Sequence, residues 1–144
     1  MWRDRLFWLA LSAGPLYWLT HSLLIQPPAN LSWPMRQPGT FILLILIYPV
    51  LEEIVFRQLM QHQLLKPLLR YNYRGITAAN LATSVLFATT HALLRSPDVG
   101  LAVFLPSLLF GFFRDRHQRL RSPIVLHVFY NWGYVWLFYG ANQG

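Results

Sequence analysis

Glu52 and Glu53 stand side by side in FILLILIYPVLEEIVFRQLM, a segment that otherwise has the composition of a membrane-spanning helix. A carboxylate held in hydrocarbon costs about 2.5–3.5 kcal/mol even on the mildest insertion scale, so an intramembrane acid pair points to function. Arg57 follows four residues after Glu53, with the acid on the N-terminal side, the favoured order for a same-face ion pair. Glu52 lies about 100° round an α-helix from Glu53, which leaves it the less compensated carboxylate. Such a group can take a proton from water as a general base. A second reading makes Glu52, Glu53 and Arg57 a structural ion network; a network balances its charges, and here one acid is spare.

His91 lies in the third apolar stretch, with Phe87 one turn before it on the same face. His127 and Asn131 lie four apart in the last stretch and share a face in the same way. A single histidine in an apolar helix reads as readily as a hydrogen-bonded core residue. Two histidines, an asparagine and a spare glutamate on three helices read differently. Together they supply a base, a partner to orient its water, and two donors for an oxyanion. His21 and His62 near helix ends, and His117 among arginines, read as surface residues with no role. Asp4, Asp98 and Asp115 are assigned to termini or loops.

The elements that must position these residues are five apolar stretches, at about residues 6–25, 39–64, 76–94, 99–113 and 122–140. Each is near the roughly 20 residues that cross a bilayer, the fourth being short. The connectors QPPANLSWPMRQPG, KPLLRYNYRG, RSPD and RDRHQRLRSP are rich in Pro, Gly and Arg, as breakers are. The hydrophobic content is 55% and the charged content 12%, far from a soluble average, and 16% aromatic residues suit bilayer interfaces. Arg3, Arg5, Lys66, Arg70, Arg74, Arg114, Arg116, Arg119 and Arg121 fall on one face; only Arg36 and Arg95 fall on the other. That asymmetry places the N-terminus in the cytoplasm and the C-terminus outside, and explains the net charge of +7 without nucleic acid. The first stretch lacks a small-x-small cleavage site and reads as a retained helix rather than a signal peptide. There is no cysteine, hence no disulfide and no thiolate metal site. The expectation is an all-α polytopic membrane protein of about five transmembrane helices. It forms a single membrane-embedded domain over 1–144, whose motif-bearing core runs from about 40 to 135.

Counting about 1.5 Å per residue puts Glu52 and His127 in the half nearer the arginine-rich face. The same count puts His91 in the outer half. Levelling them requires a tilt, a kink near Pro49 or a later start for the third helix.

Glu52-Glu53-Ile54-Val55-Phe56-Arg57 matches EExxxR, Phe87-Ala88-Thr89-Thr90-His91 matches FxxxH, and His127-Val128-Phe129-Tyr130-Asn131 matches HxxxN. Three such motifs in this order, each in an apolar stretch, resemble the CPBP family of intramembrane proteases. That family includes CAAX prenyl proteases and bacteriocin-processing or immunity (Abi) proteins. The resemblance implies a glutamic-type endopeptidase without a covalent acyl intermediate and without a cofactor or metal. By position it makes Glu52 the general base, His91 the residue that positions the water, and His127 and Asn131 the oxyanion donors. Glu53 and Arg57 would brace the motif, and Phe87 would pack beneath His91. The implied partners are the lipid bilayer and a membrane-anchored protein substrate, and the implied location is the prokaryotic inner (plasma) membrane. Many members of the family carry more helices than this chain has room for. Nothing in the sequence indicates a prenyl-binding pocket, and the compact core is similar to that of sorting proteases acting on proteins with a short C-terminal transmembrane tail.

Three other functions fit some of the same residues. A zinc peptidase could ligate metal with His91, His127 and a glutamate, although HExxH is absent. A non-enzymatic membrane scaffold or immunity-type protein could use the polar cluster for binding. A proton-coupled transporter would also use intramembrane Glu, His and Arg, but the chain has no inverted repeat.

Overall fold

A computed structural model describes residues 1–24 and 30–139. Residue 25 of the first expected stretch, residue 140 of the last, and residues 26–29 of the first connector lie outside the described residues. The fold is all-α, as expected. Helix α1 spans Arg5–Leu24, and the short α2 spans Trp33–Arg36. The long α3 runs over Pro38–Leu64, α4 over Ala78–Leu94, α5 over Pro97–His117 and α6 over Arg121–Phe138. Two of these, α3 with 27 residues and α5 with 21, are long and apolar enough to cross a membrane. Only 11% of the most apolar part of α3 is buried, so protein leaves its Leu, Ile and Val side chains exposed or only partly covered. A soluble core helix would be covered; these side chains suit lipid.

Packing divides the chain into two compact units, Leu51–Ile124 and Met1–Val50 with Val125–Gly144. In the first, α4 lies against α5 over much of its length, with Phe87, Phe110 and Phe113 in the core. Helix α4 begins later than the apolar run. Ile76 and Thr77, expected at the start of the third apolar stretch, instead form a strand, β2, paired in an antiparallel hairpin with β1 (Asn72–Tyr73), expected as connector. Its turn residues Arg74 and Gly75 both have positive φ, 51° and 90°, the conformation of a tight two-residue hairpin. Asn72 Oδ1 accepts from Gly75 N at 2.9 Å. A Cβ on Gly75 would lie 2.8 Å from the Phe112 ring, so this close approach also requires glycine. Thr77 then caps α4, its Oγ1 accepting from Asn80 N at 3.0 Å.

Helix α5 is longer than the 99–113 stretch. Ser96 caps it and Pro97 opens it, while its charged end Arg114–His117 stays helical until Gln118 adopts a left-handed φ of 54°. The expected loop from Arg114 therefore begins only after His117, and Arg114 and Asp115 are helical residues.

In the other unit, Phe7, Ala10 and Gly14 form the buried stripe of α1, spaced for one helical face. The Tyr130 hydroxyl donates to Ala10 O, tying α6 to α1. Trp33 is buried, and its Nε1 donates to Trp136 O at 3.2 Å.

Candidate active site

Helix α3 carries the acid pair at a change of winding. Tyr48–Glu53 is α-helical, and the flanking Leu43–Ile47 and Ile54–Leu64 are π-helical. Pro49 lacks the N–H that would close an α-turn, and the first π-turn lies directly before it. Positions four apart stay near one line through this segment, so Glu53, Arg57 and Gln61 are all fully buried. Between them lie exposed Ile54, Val55 and Leu59.

The Arg57 guanidinium is held by hydrogen bonds through its terminal nitrogens and by an ion pair, without a hydrogen bond, through Nε. Its Nε lies 3.4 Å from Glu53 Oε2. One terminal nitrogen donates to Ser107 O at 2.9 Å and to Ser107 Oγ at 2.5 Å, and the other donates to Gln61 Oε1 at 3.3 Å. Its carbon also sits 5.9 Å from the centre of the Phe87 ring. Removing either partner of a fully buried ion pair leaves an uncompensated charge, which costs about 3–5 kcal/mol.

Glu52 has different surroundings. Its Oε1 lies 3.8 Å from His91 Nε2, and both side chains keep solvent access, 29% for Glu52 and 22% for His91. The His91 ring rests on Phe87, centroids 4.3 Å apart, and Phe56 meets Phe87 edge-on at 4.9 Å. His91 Nδ1 lies 3.0 Å from Phe87 O. A carbonyl only accepts, so Nδ1 carries the hydrogen, and in the neutral ring Nε2 presents a lone pair towards Glu52.

The sequence count had left His91 above Glu52. They come level because Glu52 lies twelve residues before the end of α3 at Leu64, and His91 thirteen residues beyond the start of α4 at Ala78. The hairpin supplies the later start.

His127 and Asn131 belong to the other unit, one turn apart on α6. His127 is buried, and Asn131 Nδ2 donates to Leu44 O at 3.1 Å, which uses one of its two amide hydrogens. Among the described residues, no group of three His, Asp or Glu side chains could hold a metal ion.

Sequence reasoning missed several polar residues around Arg57. Ser107 and Gln61 hold it directly. Asp115, taken as a loop residue, is only 11% exposed and accepts from Gln61, Thr77 and the His62 ring. His62, read as a surface residue, is only 12% exposed. His117 is part-buried against Ser122 Oγ at 2.6 Å. A signal for some of these was present: Glu53-Arg57-Gln61, Asn80-Ser84 and Ser107-Gly111-Asp115 are small or polar positions four apart on three neighbouring helices.

The profile of the Rce1-like family, described as type II CAAX prenyl endopeptidase Rce1-like, matches residues 34–133. The chain belongs to that family. Membership implies a protease, and with its apolar helices the chain is a membrane protein of the CAAX protease type. No curated protein and no solved structure matches the chain.

Proposed function

We propose that this protein is a glutamic-type intramembrane endopeptidase whose general base is Glu52. The observation that carries the reading is the division between the two acids. Glu53 is sealed against Arg57 with no solvent access, whereas Glu52 is accessible and faces the His91 ring at 3.8 Å. This role takes the His91 ring as neutral; a carboxylate oxygen and an imidazole lone pair at that separation are then two acceptors, and a water donating one hydrogen to each satisfies both. Glu52 takes one proton from that water as its oxygen attacks the peptide carbonyl. His127 and Asn131, assigned by the HxxxN motif, donate to the tetrahedral oxyanion. Glu52 then returns the proton to the leaving nitrogen, and the C–N bond breaks. His91 holds the water in place, and Phe87 holds the His91 ring.

The substrate class in this proposal is a membrane-anchored protein, cut beside a membrane-embedded C-terminal tail, with sorting-signal processing as the biological role. A five-span topology over α1, α3, α4, α5 and α6, with the N-terminus in the cytoplasm of a prokaryotic inner membrane, completes it. Exposed Lys66, Arg70, Arg74, Arg116, Arg119 and Arg121, beside exposed Tyr71 and Tyr73 of the hairpin, support the cytoplasmic assignment of that end.

The test is co-expression with membrane-tailed proteins of the same genome, with cleavage read by mass spectrometry. Wild type, Glu52→Gln and His127→Ala run side by side. Cleavage that requires both residues supports the proposal; cleavage by Glu52→Gln at the wild-type rate overturns it.

A further inference from the structure

A directional hydrogen-bond chain leads away from the acid pair to a residue that the motifs do not include. Gln61 is fully buried, and its Nε2 donates both to Asp115 Oδ1 at 2.7 Å and to Gly111 O at 3.1 Å. Both partners are acceptors, so the amide cannot turn over without setting an oxygen against two oxygens. That orientation puts Gln61 Oε1 towards Arg57, where it accepts at 3.3 Å. Asp115 is itself fixed as an acceptor from two directions. The His62 Nε2 lies 2.9 Å from Oδ1, and the Thr77 hydroxyl donates to Oδ2 at 2.7 Å. Thr77 Oγ1 already accepts from Asn80 N, which directs its hydrogen to the carboxylate. The end of α3, the hairpin and the cap of α4 therefore converge on one carboxylate of α5.

The approach is close enough to forbid slack. A Cβ on Gly111 would lie 1.8 Å from Asn80 Oδ1 and 2.9 Å from Gln61 Oε1. Asn80 Nδ2 in turn donates to Leu108 O at 2.9 Å, locking α4 to the same turn of α5. Arg57 thus receives its geometry from Ser107 on one side and from the Asp115–Gln61 pair on the other. Arg57 pairs in turn with Glu53 at 3.4 Å, and Glu53 and Glu52 are consecutive on the same helical turn.

We infer that Asp115 is a positioning residue for proteolysis: through Gln61 it fixes Arg57 and Glu53, and thereby the direction in which Glu52 faces His91. This rests on the proposed glutamate chemistry. Asp115 and Gln61 do not touch the substrate in this account, so their loss reads in kcat and leaves KM near its wild-type value.

The test is an exchange of hydrogen-bond direction in the full chain, reconstituted in lipid vesicles with a membrane-tailed substrate. Gln61→Glu sets two carboxylates together, and Asp115→Asn removes the charge that orients Gln61. Each single change lowers kcat about tenfold or more. The double variant Gln61→Glu/Asp115→Asn restores the donor–acceptor pair between the two positions, with the new carboxylate accepting from Arg57; its other oxygen faces Gly111 O, so kcat recovers above both single variants but not fully. Should both single variants fold poorly, the double variant is still expected to be folded and active. Wild-type kcat in Asp115→Asn, losses that simply multiply in the double variant, or a double variant that does not fold would each overturn the assignment. A Glu52→Gln arm separates the two levels. Cleavage that ignores Glu52 removes the glutamate reading and this inference with it. Cleavage that requires Glu52 but ignores Asp115 removes this inference alone.

Discussion

Neutralising the two adjacent acids one at a time should have very unequal consequences for stability. Glu53 has no solvent access, and its partner Arg57 has none either. Glu53→Gln keeps the shape of the side chain but leaves a buried guanidinium held only by neutral groups, Ser107 and Gln61. The expected loss is about 3–5 kcal/mol. In a chain of this size each kcal/mol lowers the midpoint by roughly 2–4 °C, so the shift is about 6–20 °C. Glu52 keeps 29% exposure and lies 3.8 Å from a histidine that is also partly exposed. Partly exposed pairs contribute about 0–1 kcal/mol, so Glu52→Gln should unfold within a few degrees of wild type. The assay is thermal unfolding in one detergent, followed by tryptophan fluorescence, with both variants and wild type measured together. Equal midpoints for the two variants, or a larger loss in Glu52→Gln, would refute the assignment of Glu53 as the structural acid and Glu52 as the solvent-accessible one.

Gly111→Ala forces a Cβ to within 1.8 Å of Asn80 Oδ1, so the two helices must separate. A loss of about 1–3 kcal/mol is expected, and an unchanged midpoint would contradict the close packing. Thr77→Val removes the cap of α4 and one donor to Asp115, at about 1–2 kcal/mol in unfolding experiments, whereas Thr77→Ser keeps both and should match wild type. On the glutamate mechanism, proteolysis should survive exhaustive treatment with a zinc chelator. A loss of activity that added zinc restores would favour metal ligation by His91, His127 and a glutamate.

Much of this arrangement was legible in the sequence, because the signals involved are local. Apolar runs marked α1, α3, α4, α5 and α6 to within a few residues at most ends, and the four-residue spacing of Glu53 and Arg57 anticipated their ion pair. The same spacing put Phe87 under His91. Where a local signal misled, chain geometry was the reason. RDRHQR reads as a loop by charge, but the helix stops only where Gln118 turns left-handed, so Arg114 and Asp115 are helical. Ile76 and Thr77 read as the start of a helix by hydropathy, but the Arg74–Gly75 turn folds them into a strand. That difference of two residues brings His91 level with Glu52. The π-helical winding of α3 and the meeting of Gln61, His62 and Thr77 on Asp115 depend on contacts between helices, which no single segment encodes.

The central claim is that Glu52 activates water. Its most direct test is kcat for purified wild type and Glu52→Gln on one membrane-tailed substrate, in lipid vesicles with a chelator present, normalised to folded protein. A positioned general base contributes typically about 10²–10⁴-fold, so the account predicts a loss of at least about a hundredfold with the fold retained. A folded Glu52→Gln that cleaves within about tenfold of wild type falls short of that contribution and would contradict the account.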